Sequence, residues 1–176
     1  QDKPAEAEAM YREALVLRRK RLGNKDLDVA RLLGPLGELL LQEGRHAEAE
    51  PLLREALAVR RELLDNEHPE VTESLVLLGA VLAAEDKATE AEPLLREALA
   101  VQRKMAGPPD AKLATALTSL GVALNGQDEP AEAEPLLREA LALRRELLGN
   151  EHRDVATSLV SLAAVLAQED KPAEAE

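Results

Sequence analysis

The segment AEAEPLLREALAVRRELL, residues 47–64, returns as AEAEPLLREALALRRELL over residues 131–148, and the two copies differ only at Val59 and Leu143. Its opening tetrapeptide also starts at residues 5 and 173, and a close variant, TEAE, starts at residue 89. The five starts are 42 residues apart, with no insertion or deletion between them. A constant period of this length predicts stacked supersecondary units rather than one globular core.

Each 42-residue unit contains two helical patterns. In the first, apolar residues recur at spacings of four, three and four, which places them on one face of a helix. The second, over residues 47–64 and their equivalents, is apolar on a wider arc, as expected of a helix that contacts neighbours on two sides. The first pattern occurs at Val29, Leu33, Leu36, Leu40, then Val71, Leu75, Leu78, Leu82, then Leu113, Leu117, Leu120, Leu124, then Val155, Leu159, Leu162 and Leu166.

The composition agrees with a protein built from helices alone. Hydrophobic residues make up 45% of the 176 residues and aromatic residues 1%, with Tyr11 as the single aromatic side chain. Strong helix formers with few β-branched residues favour an all-α fold, because little remains to fill the surface of a sheet.

Charge and cysteine content exclude several classes of function. The formal charge of -12 argues against a nucleic-acid partner. The absence of cysteine excludes disulfides, thiolate metal sites and a cysteine nucleophile, and it fits a reducing compartment. No apolar run reaches the length of a membrane span, and no signal-peptide pattern opens the chain. We therefore expect a cytoplasmic protein without a membrane partner.

The helix pair resembles the tetratricopeptide repeat, in the 42-residue form typical of kinesin light chains and their bacterial relatives. The resemblance implies an all-α, right-handed superhelical solenoid of antiparallel helix pairs, with about eight helices. The loop Asn66–Val71 is also similar to the connection between repeats in that subfamily. The residues that carry the likeness are Leu75, Leu78, Gly79, Leu82, Ala91, Leu95 and Ala98, repeated as Leu33, Leu36, Gly37, Leu40, Ala49, Leu53, Ala56 and as Leu117, Leu120, Gly121, Leu124, Ala133, Leu137 and Ala140.

On this alignment the chain is a single repeat array, residues 1–176, that starts out of phase with the family unit. A lone second helix is expected over residues 1–23. Complete helix pairs follow over 26–65, 68–107 and 110–149, and a lone first helix with the start of its partner covers 152–176. The turn residues Gly107-Pro108-Pro109 are expected to end the second helix of the middle pair.

Small residues recur where the two helices of a pair should meet. Gly37, Gly79, Gly121 and Ala163 occupy the same position in successive first helices. A large side chain at such a position is expected to cost about 1–3 kcal/mol through overpacking.

Pro35 interrupts the first helix of the first complete pair. It lies between Leu33 and Leu40, where an interior proline removes a hydrogen bond and costs about 3 kcal/mol. With Gly34 and Gly37 beside it, we expect this helix to be kinked and its pair to be the loosest.

Acidic and basic residues separate along each second helix. Glutamates in the first turn and arginines near the end complement the helix dipole, and Glu8–Arg12, Glu50–Arg54, Glu92–Arg96 and Glu134–Arg138 are favourable i,i+4 pairs. A solvated set of helix termini explains this distribution best. Binding of an acidic partner to the basic edge, which includes Arg18, Arg19, Lys20 and Arg21, is the alternative.

No arrangement of residues predicts catalysis or a bound cofactor. His68 and His152 are copies of one another in the loops between repeats, and His46 lies near the opposite edge, so the three cannot converge on a metal ion. There is no glycine-rich phosphate loop and no Ser/His/Asp arrangement. We expect a protein that is not an enzyme and that holds neither metal nor cofactor.

A concave groove lined by the first helices is the expected binding surface, by analogy with the family. Its partner would be a protein or peptide segment, held weakly in a channel of small and apolar residues. A structural array that stacks head-to-tail through uncapped ends is the alternative function. The expected groove residues are Arg31, Glu38, Glu73, Val76, Leu77, Ala80, Thr115, Thr118, Ser119, Val122, Asn125, Thr157, Val160, Ser161 and Ala164.

Overall fold

Eight α-helices form nearly all of the structure in residues 3–105 and 110–169, the part of the chain that the computed structural model describes. They are α1 (Lys3–Leu22), α2 (Leu27–Gln42), α3 (His46–Leu63), α4 (Pro69–Ala84), α5 (Ala88–Lys104), α6 (Ala111–Gly126), α7 (Pro130–Leu148) and α8 (Arg153–Glu169). No strand occurs in these two ranges, and the predicted all-α fold is confirmed. The expected Gly107-Pro108-Pro109 turn and the expected partner of the last helix, from Asp170 onward, lie outside the described residues.

The tight turns inside the helix pairs use backbone that few residues adopt. Gly44, Asp86 and Asp128 have φ angles of 73°, 58° and 60°, in the left-handed region. Glycine and, less readily, aspartate tolerate this conformation. Each of these residues lies two positions before the start of the next helix, so the chain reverses within a few residues.

Side chains cap the helices that follow the longer loops. Asp26 and Asp110 accept hydrogen bonds from the backbone nitrogens of Asp28 and Leu113, at 2.8 and 2.9 Å. His68 and His152 do the same through Nδ1, with distances of 3.1 and 3.2 Å to the backbone nitrogens two residues further on. The two histidines are therefore capping residues, and each must leave Nδ1 unprotonated to accept this bond.

Pro35 does not end its helix. Helix α2 continues on both sides of the proline, from Leu27 to Gln42. The side chains of Leu33 and Leu36, which flank it, are fully buried. Their burial contributes about 1.5–3 kcal/mol each, enough to hold the helix through the missing hydrogen bond.

The helices form two layers with different spacing. We call α2, α4, α6 and α8 the A helices and α1, α3, α5 and α7 the B helices. Each A helix packs against the B helix before it in the chain, and α2, α4 and α6 also pack against the B helix after them. Successive A helices contact one another directly. No two B helices within the described ranges bring Cα atoms within 8 Å. Because the A layer is more closely spaced, the stack curves with the A helices on its concave side.

Glycine allows the closest approach within each pair. A Cβ atom on Gly79 would lie 2.5 Å from Cγ of Leu95, and one on Gly37 would lie 2.6 Å from Cγ of Leu53. Gly121 has the same relation to Leu137, at 2.6 Å. These three leucines are fully buried. The predicted role of these three glycines is confirmed, and α2, α4 and α6 each rest directly on a leucine of the following B helix.

Ion pairs join neighbouring B helices across the gap in the outer layer. Arg12, Arg54 and Arg96 each bind the glutamate four residues earlier, as predicted, and also a glutamate 36 residues later, on the next B helix. A second row runs parallel to the first. The two rows consist of Arg12–Glu48 at 3.1 Å, Arg54–Glu90 at 2.7 Å and Arg96–Glu132 at 2.9 Å, and of Arg19–Glu55 at 2.5 Å, Arg61–Glu97 at 2.5 Å and Arg103–Glu139 at 3.5 Å. We call these rows the outer ladder.

The turns inside two of the pairs bring a second cation to the glutamate that lies four residues before a first-row arginine. Nζ of Lys87 lies 2.6 Å from a carboxylate oxygen of Glu50. Hydrogen bonds from Lys87 and Arg54 lower the pKa of Glu50 to about 2. In the preceding repeat, Arg45 lies 2.6 Å from Glu8 and, with Arg12, lowers the pKa of Glu8 to about 2.

Replacing Gly79 with alanine tests the close approach. We expect Gly79→Ala to lower the free energy of unfolding by about 1–3 kcal/mol, because the fully buried Leu95 has no room to move. The matched control is Gly126→Ala, whose Cβ would lie an ordinary 3.7 Å from that of Ala88. That variant should be neutral or more stable by up to about 1 kcal/mol in urea denaturation, since alanine favours helix. Equal effects of the two substitutions would contradict the packing argument.

Acid should weaken the fold through the contact between Lys87 and Glu50. The pKa of Glu50 is about 2 in the folded protein and near 4.3 for an unperturbed glutamate, so the unfolded chain binds the proton first. The contribution of the ionised Glu50 side chain to the free energy of unfolding is therefore complete above a pH of about 4.3. It is lost as the pH falls towards 2. Lys87→Met removes the largest cause of the shift.

We expect the free energy of unfolding of Lys87→Met to fall less steeply over this pH range than that of the unmodified protein, measured by urea denaturation at each pH. Lys20→Met is the control, because it removes one exposed positive charge that makes no ion pair within the described part of the chain. Parallel pH profiles for all three proteins would show that the Lys87–Glu50 contact contributes nothing.

Candidate functional site

The concave face of the A helices presents only part of the predicted groove. Six of the fifteen residues are exposed, six are half-buried, and three are buried. The exposed residues are Arg31, Glu38, Val122, Thr157, Val160 and Ala164, the half-buried residues are Glu73, Leu77, Ala80, Thr115, Asn125 and Ser161, and the buried residues are Val76, Thr118 and Ser119.

The three buried residues correct the predicted groove. Val76, Thr118 and Ser119 lie on α4 and α6, the two central A helices, which have neighbours on both sides. The Thr118 hydroxyl donates to the carbonyl of Ala114 at 2.9 Å and accepts a bond from Arg144. Close contact between A helices, which the repeat pattern alone does not reveal, removes these side chains from the surface.

Ion pairs cross the concave face from one A helix to the next. Arg31 on α2 binds Glu70 on α4, with Nη2 and Oε1 2.9 Å apart. Glu73 on α4 binds Lys112 on α6 at 2.6 Å, with the signs reversed. The face is therefore more strongly charged than the predicted channel of small and apolar residues.

A buried arginine crosses from the outer layer into the junction between α2 and α4. Arg60 on α3 is 2% exposed. Its Nη1 donates to the carbonyl of Glu70 at 2.9 Å and to Oγ of Ser74 at 2.7 Å. Carboxylate oxygens of Glu70 and Glu73 lie 3.5 Å from its guanidinium nitrogens. Burial lowers the pKa of Arg60, and the two glutamates oppose that effect.

The equivalent arginine two repeats later has neutral partners. Arg144 on α7 is 9% exposed, and its Nη1 donates to the hydroxyls of Thr118, at 2.9 Å, and Ser158. Within the described residues, no carboxylate oxygen lies within 4 Å of its guanidinium. Burial lowers the pKa of Arg144, and the more distant Asp154 is the one charged group that counteracts the shift.

Interpretation of the charges as solvated helix termini was wrong for these two arginines. The sequence does contain a signal: Arg60 and Arg144 each have a serine 14 residues later, Ser74 and Ser158. Gln102, at the same position of the intervening repeat, has an alanine there instead. An arginine that occurs together with a hydroxyl partner in alternate repeats indicates a buried contact.

The basic edge at the end of α1 is partly neutralised. Arg18 lies 2.8 Å from Asp28, and Arg19 lies 2.5 Å from Glu55. These contacts belong to the packing of neighbouring repeats, so the edge offers less positive charge to an acidic partner than the sequence suggests.

A cavity is lined by residues from the start of α1, the end of α2 and the start of α8. It has a volume of about 520 Å³. One wall comes from α1 and the end of α2, and the other from the start of α8. The lining residues are Pro4, Leu39, Gln42, Glu43, His152, Arg153 and Asp154.

The cavity combines apolar and charged groups of both signs. Leu39 and Pro4 provide apolar surface, Glu43 lies on the wall formed by α1 and α2, and Arg153 and Asp154 lie on the wall formed by α8. Sequence reasoning missed this site, because its walls are separated by more than one hundred residues and meet only through the curvature of the stack.

Residues 3–105 and 110–169 contain neither a metal-binding cluster nor a membrane-spanning helix. In those ranges, no cluster of three or more histidine, aspartate and glutamate side chains is arranged to hold a metal ion. None of the helices there combines the length and the apolar character that crossing a membrane requires.

Comparison with protein families identifies the repeat. Models of the tetratricopeptide repeat match residues 1–62, 28–104 and 113–154. None of the curated proteins compared with the chain matches it.

Solved structures of similar fold include repeat proteins of the kinesin-light-chain type. A kinesin-light-chain candidate from Podosopora anserina, with nearly identical TPR-like repeats, superposes with a TM-score of 0.72 at 23% identity, over 95% of this chain and 79% of that one. A substituted form of the same protein has a TM-score of 0.73 at the same identity and coverage. BtubC (BKLC) from P. vanneervenii has a TM-score of 0.72 at 26% identity, over 96% of this chain and 67% of that one.

These findings agree with the helix pairs and the glycine contacts seen in the structure. Stacked repeats of this kind form extended concave surfaces that serve generally as scaffolds for protein–protein interaction. The chain belongs to the tetratricopeptide repeat family, and its fold is similar to that of repeat proteins of the kinesin-light-chain type.

Proposed function

We propose that this protein is a non-enzymatic scaffold that binds an extended segment of a partner protein along the concave face of its A helices. The observation that supports this proposal most is the cavity of about 520 Å³ between α1, α2 and α8. Its volume lies within the range of ligand sites, roughly 300–1,000 Å³.

The lining of the cavity suits a polypeptide backbone. Gln42 can both donate to and accept from main-chain groups, and Glu43 and Asp154 can accept from main-chain amides. Arg153 adds a donor on the same wall. Since aromatic side chains are missing from the lining, and aromatic residues and arginine dominate binding energy at interfaces, we expect modest affinity.

Titration with a peptide library tests this proposal. Backbone amide signals of the ¹⁵N-labelled protein should shift at the cavity and along the A helices when pools of extended peptides are added. The binding peptide is then compared in Glu43→Gln and Glu85→Gln. These two glutamates are equivalent in successive repeats, and each pairs with the cation two residues later, at 3.0 and 2.9 Å.

We expect Glu43→Gln to weaken binding by about two- to tenfold, the effect of losing one hydrogen bond. Glu85 does not line the cavity, so Glu85→Gln should bind normally. A library that shifts no concave-face signal, or shifts confined to the B helices, would overturn the proposal.

A second candidate function is head-to-tail self-association. Leu17 on α1 is 62% exposed, whereas its equivalent Val59 is 5% exposed. Leu159 on α8 is 43% exposed, whereas its equivalent Leu117 is fully buried. Helix α8 is an A helix and α1 is a B helix, so α8 of one molecule and α1 of another would complete a helix pair.

Charge supports the same arrangement. In the outer ladder, arginines on one B helix bind glutamates 36 residues later on the next. Arg138 and Arg145 occupy the donor positions on α7. In a second copy stacked in register, Glu6 and Glu13 would occupy the acceptor positions.

Light scattering over a wide concentration range tests self-association. The average mass should rise with concentration, and Leu17→Glu should abolish the rise. Val16→Glu is the matched control, because Val16 is equivalent to Ala58, which is exposed within the array. A constant monomer mass, or loss of association in both variants, would contradict stacking through this face.

A further inference from the structure

Arg144 reaches from the outer layer to a point between two A helices. Its Nη1 donates to the hydroxyl of Thr118 on α6, at 2.9 Å, and to the hydroxyl of Ser158 on α8. The arginine side chain has the length and the donors needed to bond to two helices at once. The guanidinium therefore bridges α6 and α8 and occupies the space between them at this level.

Arg60 takes the same position between α2 and α4. Its Nη1 donates to the hydroxyl of Ser74 on α4, at 2.7 Å. On the other side, a Cβ atom on Gly34 of α2 would lie 3.4 Å from Nη2 of the same arginine. The guanidinium is therefore bonded to α4 and lies beside the place on α2 where the glycine has no side chain.

The junction between α4 and α6 lacks such a bridge. Gln102 occupies the position of the two arginines, and Val76 and Ala116 occupy the flanking positions on α4 and α6. Val76 is 3% exposed and Ala116 is fully buried. The buried Oε1 of Gln102 accepts no hydrogen bond from the described part of the chain. All three positions change together, so a polar bridge is replaced by a smaller and largely apolar set.

The separation of the A helices follows this difference. Helices α4 and α6 lie close together along much of their length, whereas α2 approaches α4, and α6 approaches α8, only over short stretches. Distances between the axes of packed helices range over about 8–10 Å, according to the side chains at the contact. The two wider junctions are the two that contain an arginine.

We propose that Arg60 and Arg144 are spacers that hold neighbouring A helices apart, so that wide and narrow junctions alternate along the concave face with a period of two repeats. The sequence has the same period, because each arginine and its serine recur 84 residues apart, as Arg60 with Ser74 and as Arg144 with Ser158. The proposal rests on the proposed groove function for its consequence: a partner segment that follows the groove meets equivalent surroundings at every second repeat. The spacing itself is a property of the protein without a partner.

Distances between spin labels test the spacing in the free protein. The chain contains no cysteine, so labels attach only to cysteines that are introduced in pairs. A pair at Glu38 and Val122 spans α2 to α6, and a pair at Ala80 and Ala164 spans α4 to α8. Each pair crosses one junction with an arginine and the shared α4–α6 junction. Double electron–electron resonance gives both distances.

Copying the α4–α6 residues into the α6–α8 junction should narrow it. In the triple variant Thr118→Val, Arg144→Gln, Ser158→Ala, we expect the α4–α8 distance to shorten by about 1–2 Å, because the junction moves towards the lower end of the range of interaxial distances. The α2–α6 distance should stay constant. Arg145→Gln is the matched control, since it makes the same change at the adjacent, exposed residue, and it should alter neither distance.

Two further variants are independent of the α6–α8 junction. Arg60→Gln with Ser74→Ala should shorten the α2–α6 distance alone. The reverse exchange, Val76→Thr with Gln102→Arg and Ala116→Ser, should lengthen both distances by about 1–2 Å, because both label pairs span the α4–α6 junction.

Unchanged distances in the triple variant and in Arg60→Gln with Ser74→Ala would overturn the spacer role. They would assign the wider junctions to the positions of α2 and α8 as the outermost A helices of the described residues. An equal change in Arg145→Gln would overturn it as well. Because no partner is present, these results stand apart from the peptide-library titration: a groove that binds peptides with unaltered spacing in the variants would keep the proposed function and remove only the two-repeat period.

Discussion

The contact between an A-helix glycine and a B-helix leucine is the constraint on which the rest of the structure depends. Gly37, Gly79 and Gly121 each leave room for a fully buried leucine, at a distance where a methyl group would not fit. This contact sets the separation of the two helices in a pair. With that separation fixed, successive A helices touch and successive B helices do not, and the stack curves.

Much of the fold could be predicted because it depends on local patterns that repeat. The leucine spacing, the turn residues Gly44 and Asp86, and the i,i+4 pairs such as Glu50–Arg54 are all properties of neighbouring residues, and the 42-residue period confirms each of them several times. The kink expected at Pro35 stays a prediction, since a helix that continues through the proline, with Leu33 and Leu36 buried, is compatible with a bend.

The binding surface was harder to predict, since it depends on how repeats sit against one another. Val76 and Thr118 have the right helical phase for a groove, yet contacts with the next A helix bury them. Arg60 and Arg144 lie near helix ends, where solvent exposure is the usual expectation, but their length lets them reach the inner layer. Departures from strict repetition, such as Thr157 in place of Glu73, distinguish one junction from another. In a repeat protein, such differences between repeats make one part of the surface chemically distinct from the next.

The two layers also respond differently to the surrounding solution. The inner layer is joined by apolar contacts as well as by ion pairs such as Arg31–Glu70, whereas neighbouring B helices within the described ranges have no Cα atoms within 8 Å of one another and are linked by exposed ion pairs such as Arg54–Glu90. Dissolved salt screens such pairs and leaves apolar contacts intact. The separation of the B helices therefore responds to ionic strength more than the separation of the A helices does. Through the curvature of the stack, the width of the groove is coupled to the ionic composition of the environment.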